Sequence, residues 1–320
     1  MIRWLHIGLQ KTGTTTLQHD FFPRLRGIVY LGGKGTRLGA AVEADMRRLV
    51  VGLKSSGDRP EMVASLARLL AARSAMSNPL GPAELVSEEG FSESLPRSPF
   101  DRIAVLPTAL RTILGEATRV VLVVRDPFAF LASLYEQRMA TLDLPYLREI
   151  YRCTDGPCAI DDYLRIEQDR RQSGAFDTIF DAALRFDRVV GAYATAFGDD
   201  QVHVLPFEPM VERPDDFCRA WCRLLGVPDQ VIALPRRNAS GPERRRAILA
   251  RFGIGPADAR AAAFEGQFAD LPARLAADPL LAGYAARHCE PVRARAAATF
   301  AALTAAAPSS TPGGERGETA

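Results

Sequence analysis

Residues 6–18 read HIGLQKTGTTTLQ, and this stretch decides the fold of the 320-residue chain. It begins at the end of an apolar run, passes through a short polar loop that starts at Gly8, and continues into helix-compatible sequence after Gly13. A strand that enters a helix through such a loop leaves backbone N–H groups without partners, and the positive end of the helix points at the same place. The stretch therefore predicts a strand, a phosphate-binding loop and a helix.

The position of the lysine separates this loop from an ordinary nucleotide loop. Gly8 and Gly13 have the spacing of the two glycines in a Walker A motif, but Thr14 stands where that motif has its lysine. The lysine lies inside the loop instead, as Lys11, in a chain whose other basic residues are almost all arginine. A lysine displaced in this way predicts a site that does not bind ATP or GTP in the usual manner.

Composition limits the class of protein. The ordinary apolar and charged fractions (47% and 24%) are typical of a globular protein. The net charge of +2 argues against a protein that coats nucleic acid or another polyanion. No apolar run is long enough for a transmembrane helix, and no secretory signal precedes the first strand.

Five cysteines do not suggest a disulfide framework. Cys218 and Cys222 are expected to be buried free thiols, whereas Cys153 and Cys158, in a Gly-Pro loop, could pair or bind a metal. We expect a cytoplasmic protein.

The order of elements predicts an α/β fold with a parallel sheet, helices on both faces and a P-loop-like core. Short β-rich runs alternate with amphipathic segments, and residues 120–124 are continuously apolar, as in a central parallel strand. The predicted strands are Arg3–Leu9, Ile28–Gly32, Ala83–Ser87, Arg119–Val124 and Gln201–Phe207. The predicted helices are Gly13–Phe22, Glu61–Ala75, Pro107–Gly115, Pro127–Thr141, Asp181–Phe197 and Pro214–Gly226.

Domain organisation follows from the same pattern. Residues 1–240 are expected to form the α/β domain, and residues 241–308 a helical extension packed on it, with breaks at Gly253–Pro256 and at Pro291. The last residues, 309–320, are rich in Pro, Gly, Ser and Glu and are predicted to be disordered.

A second motif follows the most apolar strand. Arg125 ends that strand, Asp126 and Pro127 supply an N-cap and a first helical residue, and Ser133 lies about two turns into the helix. In open α/β folds the carboxyl ends of the strands form the ligand site. A guanidinium and a hydroxyl placed there can bind the same oxyanion, although Arg125 paired with an acid and Ser133 facing solvent is an equally plain interpretation.

Together the two motifs resemble those of sulfotransferases that use 3′-phosphoadenosine 5′-phosphosulfate. Residues 11–18, KTGTTTLQ, are similar to the family's 5′-phosphosulfate loop, and residues 124–127, VRDP, with Ser133 are similar to its 3′-phosphate site. Three weaker resemblances accompany them: LVSEE at 85–89, VLPFE at 204–208 and RRNAS at 236–240. The resemblance covers the chain from Met1 to about Ser240.

The resemblance implies a donor, a set of site residues and a type of acceptor. Lys11 would stabilise the oxygen of the leaving phosphate, and the backbone of Thr12, Gly13, Thr14 and Thr15 would bind the 5′-phosphate. Hydroxyls of Thr14 or Thr15 could add donors. The remaining nucleotide contacts would come from Arg125 and Ser133 on the 3′-phosphate and from Asn238 in a loop that closes over it. No metal is required, and the acceptor would be a carbohydrate or another small molecule bound by variable loops.

The acceptor also needs a general base. Glu89 is the first candidate because of the Ser-x-Glu resemblance, Glu88 is its neighbour, and His19 on the first helix is a lesser candidate. A solvated acidic turn is the plainer interpretation of the two glutamates. His6 lies inside a strand and is expected to be a core histidine.

Two other functions remain open on the sequence alone. A kinase or NTPase could use the same loop, but it would need magnesium, and the sequence shows neither a Gly-Lys-Ser/Thr nor an obvious magnesium acid. A non-catalytic nucleotide-binding protein could also keep this fold, since fold does not fix function.

Overall fold

The computed structural model describes residues 2–31, 83–88, 91, 105–141, 145–151, 153, 155–175, 178–235 and 241–305. It confirms the predicted α/β class. Five strands form one all-parallel sheet in the order β2-β3-β1-β4-β5. Their bounds are β1 Ile2–Ile7, β2 Ile28–Tyr30, β3 Ala83–Glu88, β4 Arg119–Val124 and β5 Val202–Pro206. Each predicted strand is present, with ends shifted by at most two residues.

Helices fill most of the remaining described chain. Those between the strands are α1 Thr14–Thr16, α2 Val105–Leu114, α3 Pro127–Ala140, α4 Pro145–Tyr151, α5 Ile160–Gln172 and α6 Phe186–Phe197. Those after the last strand are α7 Glu208–Glu212, α8 Pro214–Leu225, α9 Pro242–Arg251, α10 Ala259–Gly266, α11 Leu271–Ala277, α12 Pro279–His288 and α13 Glu290–Ala305. The predicted helix Glu61–Ala75 and the predicted disordered tail 309–320 lie outside the described residues.

Strand residues alternate between two apolar cores, one on each face of the sheet. The front face carries Trp4, Leu85, Val121, Val123 and Leu205, which pack against Leu17, Phe21 and Phe22 after the first loop and against Phe217 and Trp221 of α8. The back face carries Leu5, Val120, Leu122 and Val204, which pack against α2, α3 and α6. Both faces are therefore covered, which explains why these strands read as continuous apolar runs.

The first helix is less regular than predicted. The α-helical turn Thr14–Thr16 continues as a π-helical turn, Leu17–Phe21, and then as a 3-10 turn, Phe22–Arg24. Pro23 lies in that last turn and cannot donate a helical hydrogen bond. The wide turn places Leu17, Phe21 and Phe22 in the front core together. The predicted helix at Asp181–Phe197 is also divided, because a π-helical turn ends at Ala183 and α6 begins at Phe186.

The C-terminal helices break where cap residues stand. The predicted break at Gly253–Pro256 is present between α9 and α10. The break expected at Pro291 falls just before it, since Pro291 is the second residue of α13 and a proline is tolerated in the first turn of a helix. Two further breaks were not predicted; one of them lies before α12, where the side chain of Asp278 caps the helix by accepting from Leu281 N–H.

The last described helix, α13, covers the open edge of the sheet. Phe300 belongs to the front core and Ala296 to the back core, so α13 spans the edge at β5. Arg295 donates to the carbonyl of Val202 in β5 and to the carboxylate and carbonyl of Asp199. Arg223 of α8 donates to the carbonyls of Leu303 and Thr304 near the helix C-terminus.

Strand order also fixes where a ligand can bind. The chain leaves β1 toward the front face and leaves β4 toward the back face, and these two strands are neighbours. Connections that diverge from adjacent strands open a crevice at their carboxyl ends. The loop after Ile7 and the turn after Val124 border this crevice.

Candidate nucleotide site

The loop after β1 is closed tightly on itself. A Cβ placed on Gly8 would lie 2.4 Å from Cγ2 of Thr14, so the start of the loop touches the first residue of α1. Gly13 has φ of +75°, and a Cβ there would lie 2.6 Å from Sδ of Met210. The shape of the loop therefore requires glycine at both positions.

Two of the loop threonines hold the loop from inside. The hydroxyl of Thr12 donates to the carbonyl of Leu9 at 2.7 Å, and the hydroxyl of Thr14 donates to the same carbonyl at 3.2 Å. Each hydroxyl has one proton, so in this conformation neither has one left for a ligand. The donors that the loop offers are backbone N–H groups at the start of α1, which lack carbonyl partners one turn earlier. The expectation of a Thr14 hydroxyl donor does not fit this geometry, whereas Thr15 keeps that role as a prediction.

Lys11 and Arg125 meet at the crevice. Lys11 has φ of +61°, one of two non-glycine residues of the described chain in the left-handed region. Such a conformation costs about 1–3 kcal/mol and persists where the surroundings fix it. Nη1 of Arg125 donates to the carbonyl of Lys11 at 3.1 Å. The two motifs that the sequence placed 114 residues apart therefore border one site.

The end of β5 fixes the guanidinium of Arg125. The guanidinium carbon of Arg125 lies 4.8 Å from the ring centre of Phe207, a cation–π contact. Burial lowers the pKa of Arg125, while the carboxylates of Glu208 and Asp126 act in the opposite direction. A guanidinium stays charged under these conditions. It is thus a partly desolvated cation whose orientation is set on one side by an aromatic ring.

Asp126 organises the start of α3. Its Oδ1 accepts from the N–H groups of Phe128 and Ala129, which confirms the predicted N-cap. Its own N–H donates to Oε1 of Glu208 at 2.6 Å. Arg293 of α13 lies 3.7 Å from its Oδ2. The helix that carries Ser133 is therefore held in place by both the end of β5 and α13.

Ser133 lies on α3 as predicted, eight residues after Arg125, and is buried. On the same helix Oε1 of the buried Glu136 accepts from the N–H of Gly241 at 3.2 Å. On the other side of the crevice, the hydroxyl of Thr16 donates to the carbonyl of Pro235 at 3.3 Å. Pro235 and Gly241 flank the segment with Asn238, which itself lies outside the described residues.

The end of β3 lies beside the loop on the other side of β1. The register pairs Ser87 with His6 and Glu88 with Ile7, so Glu88 stands at the carboxyl edge. Oγ of Ser87 is 2.8 Å from Nδ1 of His6 and accepts from Nε2 of Gln18 at 3.0 Å. This buried cluster joins β1, β3 and the first helix. Glu89, the first candidate for the base, lies outside the described residues, and His19 lies on the π-helical turn.

His6 is a core histidine, as expected. It is fully buried, its ring contacts Phe22 and Trp221, and burial lowers its pKa to about 3. Its Nε2 has no hydrogen-bond partner in the described structure. His6 is therefore a neutral group under the crevice rather than a charged one in it.

Comparisons with known proteins add little. No family model matches the chain, and no curated protein matches it significantly. Among the solved structures that match is a sulfotransferase from Alicyclobacillus acidocaldarius, with 16% sequence identity, 84% of this chain and 96% of that chain covered, and a TM-score of 0.46. A likeness of that size carries no inference about activity.

Several residues of the site were missed or undervalued from the sequence. Phe207 and Glu208 were noted only as a weak resemblance, although they contact Arg125 and Asp126. Arg293 was not singled out, because its role depends on a helix that returns to the sheet from far along the chain. Within the described ranges no three His, Cys, Asp or Glu side chains are grouped as a metal site. No helix there is long and apolar enough to cross a membrane.

Proposed function

We propose that this chain is a sulfotransferase that uses 3′-phosphoadenosine 5′-phosphosulfate. One observation carries the proposal: Arg125 donates to the carbonyl of Lys11, so the two motifs lie at one crevice. A nucleotide with phosphates at both the 5′ and the 3′ positions needs two such cation-bearing sites near each other. A nucleotide loop of the ATP type requires only the first.

In this proposal the loop binds the 5′-phosphosulfate. Backbone N–H groups from Gly13 to Thr15 point toward the phosphate, and Lys11 contacts the oxygen that bridges phosphorus and sulfur. The sulfur–oxygen bond to the phosphate breaks as the acceptor oxygen forms its bond to sulfur. Negative charge then grows on the bridging oxygen, where the ammonium of Lys11 stabilises it. The strained backbone of Lys11 holds that ammonium in the loop rather than on the helix.

Arg125 and Ser133 bind the 3′-phosphate in the same proposal. The guanidinium has five N–H donors, of which one reaches the carbonyl of Lys11. Charge-assisted hydrogen bonds to the phosphate contribute about 1.5–3 kcal/mol each. Asn238 would add a contact from the segment flanked by Pro235 and Gly241, whose neighbours Thr16 and Glu136 lie on the two helices that border the crevice.

The acceptor in the proposal is a hydroxyl or amine of a carbohydrate or other small molecule. Glu89, directly after the strand end at Glu88, would take the acceptor proton. A cavity of about 590 Å³ between α9 and α10 has the size of a small-molecule pocket and is lined mainly by apolar groups, among them Leu249, Ile254 and Ala261. It lies among the helices that follow the last strand.

The test is a comparison of nucleotides that differ by one phosphate. Calorimetry would measure the binding of 3′-phosphoadenosine 5′-phosphate and of adenosine 5′-phosphate to wild type, Arg125→Ala and Arg119→Ala. We expect Arg125→Ala to weaken the first nucleotide about 10- to 100-fold and the second far less. Arg119, at the other end of β4 and over the ring of Trp4, is the matched control and should change neither affinity.

Two outcomes would contradict the proposal. Equal weakening of both nucleotides by Arg125→Ala would mean that Arg125 acts only by holding the loop through the Lys11 carbonyl. Tighter binding of ATP with magnesium than of 3′-phosphoadenosine 5′-phosphate by the wild type would favour a kinase or NTPase.

A further inference from the structure

The cavity between α9 and α10 has an apolar interior and a charged edge. Its buried wall includes Leu249, Ile254 and Ala261, which are 3%, 3% and 5% exposed. Arg246, one helical turn before Leu249 on α9, belongs to the same wall but is exposed to solvent. A ligand in this cavity would therefore have apolar groups around its inner part and a guanidinium beside its outer part.

The break between the two helices keeps the cavity open. Gly253 has φ of +68°, and Gly255 and Pro256 follow it before α10 begins. A Cβ added at Gly253 or at Gly255 would meet no other atom within 4 Å. On α10 the wall carries the small side chains of Ala261 and Ala262. Small residues on both sides thus leave the volume of about 590 Å³ for a ligand.

The wall contains two charged side chains, and the protein neutralises only one of them. Oε2 of Glu265 accepts from Nε of Arg245 at 2.6 Å, and the guanidinium carbon of Arg245 lies 4.5 Å from the ring centre of Phe268. Arg246 has neither a hydrogen bond nor an ion pair with any residue in the described ranges. Because Arg245 balances Glu265, the cavity keeps one positive charge at its edge.

The backbone of the break adds few hydrogen-bond donors to the cavity. The N–H groups of Gly253 and Ile254 already donate to the carbonyls of Ala250 and Leu249, each at 3.1 Å. A carbohydrate would bring many hydroxyls into this wall without partners for them, which costs free energy. An apolar chain or ring, in contrast, gains with each methylene group that leaves water.

We propose that the cavity is a binding site for an amphipathic monocarboxylate. The apolar part of the ligand packs against Leu249, Ile254 and Ala261, and its carboxylate accepts charge-assisted hydrogen bonds from Arg246. Binding needs no nucleotide, so the site can be tested independently of the proposed sulfuryl transfer.

The cavity is also joined to the helix that borders the nucleotide crevice. Pro242 belongs to its wall, and the preceding Gly241 donates its N–H to Oε1 of Glu136 on α3. Glu136 lies three residues after Ser133, and residues at this spacing are neighbours on a helix surface. A ligand in the cavity would therefore lie close to the part of α3 that carries Ser133.

The experiment is calorimetric titration of the full chain with three ligands of equal chain length, namely octanoate, 1-octanol and octylamine. We expect octanoate to bind to one site and more tightly than the other two. Arg246→Ala should weaken octanoate binding about 5- to 10-fold, between the effects typical of a charge-assisted hydrogen bond and of an exposed ion pair, and should leave 1-octanol unchanged. Arg244→Ala, on the same helix but outside the cavity wall, is the matched control and should change neither.

A second variant tests the apolar part by filling the cavity. Ala262→Trp should weaken octanoate and 1-octanol alike, by about 10-fold or more, because the indole occupies the space of the chain. Ala263→Trp, at an exposed position of α10 outside the wall, should leave both affinities unchanged.

Four outcomes would overturn the proposal. The first is that octanoate shows no saturable binding below about 1 mM. The second is that Arg246→Ala weakens octanoate and 1-octanol equally, so that the guanidinium does not bind the carboxylate. The third is tighter binding of octylamine than of octanoate, which would make Glu265 the polar partner. The fourth is unchanged octanoate binding in Ala262→Trp, which would place the ligand elsewhere on the chain.

Discussion

The edge of the sheet at the amino ends of its strands and the edge at their carboxyl ends use arginine in opposite ways. At the amino edge, Arg3 donates to the buried carboxylate of Glu84 at 2.9 Å and to the carbonyl of Leu114 at 2.6 Å, and Arg295 is paired with Asp199. At the carboxyl edge, Arg125 has one hydrogen bond to protein within the described residues and an aromatic ring beneath it. Arg3 and Arg295 are each hydrogen-bonded directly to a carboxylate. Arg125 keeps the rest of its N–H donors for a ligand.

This difference favours the carboxyl edge as the place where a ligand binds, without reference to any relative. Binding energy for a ligand comes from groups that the protein positions but does not satisfy, and such groups cost stability in the empty site. The backbone at the carboxyl edge also costs stability, because Lys11 is held in a left-handed conformation there. At the amino edge, the charged side chains hold neighbouring parts of the protein together.

The largest expected effect is on chemistry at the carboxyl edge. Lys11→Ala should lower the rate of release of 3′-phosphoadenosine 5′-phosphate from the phosphosulfate, with water as acceptor, by about 10²- to 10³-fold, because the leaving oxygen loses its cation. Alanine pays the same backbone cost at φ of +61°, so the melting temperature should barely change. A near wild-type rate in Lys11→Ala would remove the lysine from the mechanism and weaken the contrast between the edges.

The next effect is on the stability of the loop. Gly8→Ala places a Cβ 2.4 Å from Thr14 and should lower the free energy of unfolding by about 1–3 kcal/mol in urea titrations. Thr14→Ala in the same chain removes both of the closest atoms and should recover part of that loss. Gly191→Ala in α6, where the new methyl group meets open space, should instead raise stability by about 0.5–1 kcal/mol. A neutral Gly8→Ala would mean that the loop is not closed tightly.

The third effect concerns pH. The pKa of His6 is about 3 in the folded chain and about 6.5 when unfolded, so the unfolded chain binds one more proton between these values. The stability that the neutral buried ring contributes is fully present above pH 6.5. It is lost by about 1.4 kcal/mol per pH unit as the pH falls toward 3. His6→Gln should flatten the fall in unfolding free energy between pH 6.5 and 5; an unchanged slope would show that His6 does not stay neutral.

Most of the fold could be predicted because the strands are buried on both faces. Continuous apolar runs such as 120–124 leave little choice of structure, and Asp126 with Pro127 marks the start of α3 from local chemistry alone. The break before Phe186 could not be predicted in the same way. Neither a glycine nor a proline stands there, and the chain bends because Leu184 is drawn into the back core.

The site could be predicted only in part. The loop glycines and the Arg125 motif are local patterns, and the structure brings them into contact. The inward hydrogen bonds of Thr12 and Thr14 could not be read from the sequence, because a threonine in a loop has no fixed side-chain direction. Phe207, Glu208 and Arg293 act through long-range packing, which no spacing rule describes. The roles of Glu89 and Asn238 stay predictions.

The position of α13 across the edge of β5 has a consequence for synthesis on the ribosome. Strand β5 emerges well before the helix whose Arg295 binds its carbonyl and whose Arg293 approaches the cap of α3. Until then the nascent sheet has an open strand that can pair with other chains. In newly made protein, the open side of β5 is therefore protected only once α13 has been synthesised. Slow elongation between β5 and α13 would favour aggregation.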